Sequence, residues 1–447
     1  MKQIQHNIFC KNTIDLAIKN QAITVFLLLF LFLSLNSIYN SFAAALGFGF
    51  PYSTFIFNPN DLFADYFKSI FSFPQAKDIQ IYGSSRLSRL LFTYLHSNPY
   101  QGVVGLAKGS LTHLHGLPLG YLYTFINIKL MNYIDPVIVF SFMLVMLFIA
   151  TYLFISDIVL SVIDRRFFML SILIAYPTIF VITRGHIVAA LTTLALIAYV
   201  VLYVTNKGRY LALFLFAVVI NIRPNAIIFV FLLLIDGFKL KIKELLFLIS
   251  ISIILCLSSY YIVNLIYPDY NVVNALKGLK IYHDLYVVGN SGLGYGSSLY
   301  GPMKLIFGAT SLTEFTAMLI AGILLFLSII QKLMNKISNS AFVFIVSACY
   351  VLGSSVIADY YLSIFIVPLL IYYLEYNKKS AADLFVVDRI EFICIFFGSI
   401  FMLIPKNYIF YNGISFQVVL NPIVLLILTV GIIYYYWVKK RPTSNIC

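Results

Sequence analysis

Long apolar runs separated by brief polar punctuation organise this chain. About 20 helical residues, rising 1.5 Å each, cross a hydrocarbon core of about 30 Å. Runs near that length recur along the sequence and predict membrane segments at roughly 22–47, 135–161, 167–183, 187–204, 209–221, 225–236, 244–266, 314–332, 340–356, 362–375, 389–404 and 417–437. The fold class this implies is an all-α polytopic membrane protein, a bundle of about 12 segments, because a lipid-exposed backbone must satisfy its own hydrogen bonds.

Two breaks in the pattern are long, at 48–134 and 267–313. The first contains amphipathic stretches, Asp61–Phe73 and Gln80–His96, suited to lying along a membrane surface. The segments 209–221 and 225–236 are short. At 1.5 Å per residue they rise only about 20 Å and about 18 Å, which predicts a broken or re-entrant hairpin. Arg223-Pro224-Asn225 stands at the break, where proline removes a backbone donor.

Composition closes off a soluble reading: 61% of residues are hydrophobic and 11% charged, with a mean hydropathy of +0.95. No room remains for a soluble domain of any size. The net charge of +13 invites nucleic acid, yet the basic residues are scattered between apolar runs instead of gathered on one face. They read as topology. With both termini cytoplasmic, eighteen Lys and Arg fall inside, among them Lys2, Arg165, Arg166, Lys207, Arg209, Lys332, Lys336, Arg389 and Lys439, and twelve fall elsewhere. The two long loops are then extracytoplasmic. The first apolar run is too long for a signal peptide and reads as an uncleaved helix. Abundant Ile, Lys, Asn, Tyr and Phe fit an AT-rich bacterial genome, and the expected location is a bacterial inner (cytoplasmic) membrane. The five cysteines form no CxxC pair and are expected as free thiols.

Candidate chemistry gathers in the outer loops and at the break. Asp61 and Asp65, four apart, share one helix face, and neighbouring carboxylates shift each other's ionisation so that one is poised as a base. The plain alternative is a helix start, where acids meet the positive dipole end. Arg184 ends a helix beside a short outer turn, a position where an arginine ordinarily snorkels. Arg223 has apolar flanks on both sides, and an intramembrane cation is a functional candidate by default. Lys277, Lys280 and His283 precede a glycine-rich loop containing Asn290, whose spacing matches no phosphate-binding fingerprint. His113 and His115 alternate with no nearby carboxylate, poor spacing for a metal, so neither metal nor cofactor is expected. The 33 Tyr and 41 Phe read first as an interface belt and lipid-facing packing, with Tyr66, Tyr100 and Tyr121 the candidates for stacking on a carbohydrate.

Taken in order, several stretches resemble the GT-C superfamily of glycosyltransferases, and within it the polyprenyl-phosphate-mannose-dependent mannosyltransferases. They are Asp61–Ile70, Asn98-Pro99-Tyr100, Gly116-Leu117-Pro118-Leu119-Gly120-Tyr121, Pro177 through Arg184-Gly185-His186, Ile222-Arg223-Pro224, Asn290 with Ser298-Leu299-Tyr300-Gly301, and Ala358-Asp359-Tyr360-Tyr361-Leu362. The resemblance implies a GT-C-like bundle and inverting transfer of a sugar from a polyprenyl-phosphate donor to a lipid or glycan acceptor hydroxyl. It also implies a carboxylate base in the first outer loop, Asp65 before Asp61. Tyr66, Arg184, His186, Arg223, Lys277, Lys280, His283, Asn290, Asp359 and Tyr360 are then the expected substrate-binding residues. His186 and Arg223 stand where the family commonly has Gln and Lys, which leaves the sugar open. A flippase or transporter of lipid-linked oligosaccharides is the rival, since broken helices and buried arginines also build transport sites; a polymerase of such oligosaccharides is a second.

Overall fold

The computed structural model describes residues 175–184, 186–235, 242–266, 271–289, 296–378, 389–404, 410–411 and 414–438, with the isolated positions 35, 118, 119 and 122. Asp61, Asp65, Tyr66 and Asn290, most of the loop 48–134 and nearly all of the segments 22–47 and 135–161 lie outside the described residues. What is described is helical apart from a ribbon of two short strands, β1 (Phe410–Tyr411) and β2 (Ile414–Ser415). The α-helices are α1 (Tyr176–Arg184), α2 (Ile187–Val204), α3 (Arg209–Ile222), α4 (Ile242–Ile266), α5 (Val272–His283), α6 (Tyr300–Phe307), α7 (Ser311–Leu333), α8 (Asn339–Leu352), α9 (Ile366–Lys378), α10 (Arg389–Phe392), α11 (Gly398–Leu403) and α12 (Gln417–Val438). Three of them, α4, α7 and α12, are long and apolar enough to cross a membrane. They point to membrane association.

The predicted break is present and has a local cause. The residue before a proline is sterically pushed out of the α region, and Arg223 is extended, at φ −132° and ψ 91°. It ends α3 and begins a 3₁₀ helix, Pro224–Leu234, with proline at the first position where its missing N–H costs nothing. At about 2.0 Å per residue this 3₁₀ helix is about 22 Å long, longer than the α-helical rise allows but still short of a bilayer. The long 3₁₀ run is tied to its neighbours: the Tyr199 hydroxyl of α2 donates to the Phe229 carbonyl at 3.0 Å, and Tyr199 stacks on Phe216 of α3 with centroids 4.3 Å apart.

Helix α8 is the hub. Every residue from Ser340 to Leu352 is buried, the mark of a helix apolar all round and enclosed by others. It starts where the Ser338 hydroxyl accepts from the Ala341 N–H at 3.1 Å, and α7 starts likewise on Thr310, which accepts from the Thr313 N–H. A second 3₁₀ helix, Asp359–Phe365, leads into α9; Phe365 meets Phe344 of α8 edge to face at 5.8 Å. The outer surface of α4 is the opposite case: only 17% of its apolar window is buried.

Charged groups separate to the two ends of the bundle. At one end Arg209 pairs with Glu244 at 3.3 Å, and the Tyr203 hydroxyl donates to Glu244 at 2.5 Å. Lys332 donates to the Asn339 amide oxygen, the Ser340 hydroxyl donates to Glu375 at 2.6 Å, and the Tyr436 hydroxyl donates to Glu391 at 2.5 Å. The opposite end holds Arg223, His186, Asp359 and His283.

Candidate functional site

The second end is built where four chain segments stop or turn. Arg223, freed from the helix by Pro224, lays its guanidinium over the Tyr361 ring, 3.4 Å from the centroid, a cation–π contact strengthened by desolvation. Tyr361 meets Tyr360 at 4.5 Å. Tyr360 in turn lies 5.0 Å from the His186 ring and stacks on Phe180, which stacks on Tyr176. A cation, an imidazole and a run of aromatic faces thus follow one another across α1, α2, the break and the start of the second 3₁₀ helix.

His186 caps α2. Its Nδ1 accepts from the Ala189 N–H at 3.2 Å, which requires the neutral ring with its proton on Nε2. That leaves Nε2 a donor at the helix mouth.

Under the aromatic run lies a buried polar network. Asp359 has no exposed surface. It accepts from the Tyr176 hydroxyl at 3.1 Å, from the Ser297 hydroxyl at 2.5 Å and from the Gln417 amide. The Asn421 amide donates to Ser297 at 2.8 Å. A short antiparallel bridge between Gly296 and Ala358 carries Ser297 to the carboxylate. Asp359 therefore sets positions: it fixes Tyr176 at one end of the aromatic run and the backbone of Tyr360 beside it.

The rim extends outward through two consecutive serines after α8. Asn225 donates to Ser354 at 3.3 Å, and Ser355 donates to Glu314 in the first turn of α7. His283 Nε2 faces the same carboxylate at 3.3 Å. Behind it Lys304, buried in α6, donates to the carbonyls of Val287 at 2.7 Å and Gly289 at 2.6 Å. Burial holds its ammonium below the ordinary lysine pKa.

Of the residues singled out from the sequence, Arg223, His186, Asp359 and Tyr360 come together, while His283 stands on the outer rim, bonded to Glu314. Lys277 and Lys280 do not join the four; they project from the exposed side of α5. Arg184 is the last residue of α1, next to the turn that His186 closes. Tyr176, Ser297, Tyr361, Gln417 and Asn421 are additions. Gln417 and Asn421, four apart in an otherwise apolar span, carried a signal in the sequence, since polar side chains inside a membrane helix mark partners or function.

No protein-family model matches the chain, and neither a curated protein nor a solved structure matches it.

Proposed function

We propose that this protein is a membrane-embedded glycosyltransferase with a GT-C-like bundle of about 12 segments and both termini in the cytoplasm of a bacterial cell, its site opening on the extracytoplasmic face of the inner membrane. It transfers a sugar from a polyprenyl-phosphate carrier to a lipid or glycan hydroxyl with inversion. The observation that carries this reading is the Arg223 guanidinium, held on Tyr361 at a helix break and followed by Tyr360 and His186. A cation held on aromatic faces at a helix break between apolar segments calls for an anionic partner, and aromatic faces beside a fixed cation suit a sugar next to a phosphate.

In the reaction the acceptor oxygen attacks the anomeric carbon and its proton passes to a first-loop carboxylate, Asp65 before Asp61. The bond from the anomeric carbon to the phosphate oxygen breaks, and the electron pair stays on the phosphate. Negative charge grows on that phosphate, and a preorganised guanidinium is worth most where charge develops. Arg223 is assigned this role, with the His186 Nε2–H as a further donor.

Purified protein in nanodiscs, given a panel of polyprenyl-phosphate sugars together with lipid and glycan acceptors, should release polyprenyl phosphate. Asp65→Asn should abolish release while donor binding survives; full activity in that variant would remove Asp65 as the base. Arg223→Ala should weaken donor binding by about one to two orders of magnitude, the share of a charge-assisted hydrogen bond of about 1.5–3 kcal/mol. Unchanged affinity would return that arginine to a structural role.

A further inference from the structure

Helix α5 joins the same-side ends of two candidate spans, and it is too short to cross a bilayer itself: 12 residues rise about 18 Å. It begins at Asn271, whose side chain accepts from the Asn274 N–H at 2.9 Å, just after α4 ends at Ile266. It finishes at His283, and His283 is tied to Glu314 in the first turn of α7. The His283 end is thereby held at the level where α7 begins.

At 100° per residue the helix divides cleanly. Gly278 is buried, and Asn274 and Ile281 on the same side are half-buried. The opposite side shows Val272 at 62%, Leu276 at 61% and Leu279 at 50% exposure in one apolar row along the helix, with Val273 at 61% beside its start. Val273, Lys277 and Lys280 form the next row, so the two lysines, three apart, flank Leu276 and Leu279 on one side. The helix contains no acid; the nearest, Asp284, lies beside His283 at 3.6 Å.

We propose that α5 lies flat in the headgroup layer, its Val272–Leu279 stripe among the acyl chains and Lys277 and Lys280 on the phosphates of anionic phospholipids. An in-plane helix needs an apolar face, lysines at its border whose stems reach back up to the headgroups, and a fixed depth. Here the tie from His283 to Glu314 at the start of α7 supplies the depth. A lysine near an anionic surface favours acidic lipid over zwitterionic lipid. The proposal goes beyond sugar transfer and rests only on membrane insertion: it gives the two lysines to bulk lipid.

The test places a tryptophan at Leu276→Trp, and separately at Leu279→Trp, in full-length Trp437→Phe protein. Nanodiscs are made of phosphatidylcholine alone or mixed with phosphatidylglycerol. Lipids brominated on the acyl chain should quench either tryptophan strongly, and aqueous acrylamide should quench it weakly. Phosphatidylglycerol should add a blue shift, and Lys277→Gln with Lys280→Gln should raise the fraction of anionic lipid needed for that shift severalfold. Quenching by acrylamide but not by bromolipid would overturn the proposal, as would shielding from both quenchers, which would mean a protein cover. A blue shift indifferent to phosphatidylglycerol or to the two lysines would overturn the assignment to anionic lipid.

Discussion

A carboxylate with no access to solvent is expensive unless it is hydrogen-bonded, and Asp359 accepts three direct bonds, from Tyr176, Ser297 and Gln417, with Asn421 of the same helix as Gln417 backing Ser297. Asp359→Asn turns one acceptor oxygen into a donor facing donors. The expected cost is about 1–3 kcal/mol, read as a lower melting point in detergent. Because Asp359 positions Tyr360 and Tyr176, donor affinity should fall with it even in protein that remains folded. Lys304 offers a complementary case. Lys304→Met strips the Val287 and Gly289 carbonyls of their shared donor, and hydrogen exchange over residues 284–289 should quicken. The sign of its pH effect follows from the depressed pKa: between that lowered value and the ordinary 10.5 the unfolded chain binds the extra proton, so stability from this group grows as pH rises through that window. Lys304→Met should lack that alkaline gain in a melting series. At this scale the sequence showed the break and its cation plainly, because Arg223-Pro224 is a local signal. The network around Asp359 was hidden, because Tyr176, Ser297, Asp359, Gln417 and Asn421 meet only through packing between distant segments.

Among the elements, the apolar period located most described helices to within a few residues: 187–204, 244–266 and 417–437 correspond to Ile187–Val204, Ile242–Ile266 and Gln417–Val438. Periodicity failed to foresee how tightly each helix winds. Residues 224–234 and 359–365 are 3₁₀ helices and 393–397 a π turn, choices made by neighbours such as the Tyr199–Phe229 bond and not by local propensity. The π turn leads into Gly398, where a Cβ would stand 2.8 Å from the Phe344 ring and 2.9 Å from Leu428. Phe344 has no exposed surface, so a side chain at 398 would press on a fully buried ring, and α11 approaches α8 this closely through glycine. Gly398→Val should cost about 1–3 kcal/mol as overpacking, seen as a drop in melting temperature. The change Gly322→Ala, with open space at its Cβ, should cost nothing comparable and serves as the control.

Across the whole molecule, the separation of charge between the two ends is what gives the reading a direction. Lys207, Arg209, Lys243, Lys332, Lys336 and Arg389 are the cations that the positive-inside pattern assigns to the cytoplasm, and the described ones with partners gather at one end around Glu244 and Asn339. His186, Arg223, His283 and Lys304 gather at the other. A bundle inserted one way exposes the turn between α2 and α3 to the cytoplasm and the turn between α6 and α7 to the outside. In protein whose five cysteines are replaced, Ala309→Cys should react with a membrane-impermeant maleimide in intact cells, and Lys207→Cys should react only after the membrane is opened. The reverse result would turn the aromatic run and Arg223 toward the cell interior. A lipid-linked sugar acceptor reaction on the outer face would then have no site, whereas the separation of charge between the ends would stand and would call for a cytoplasmic substrate.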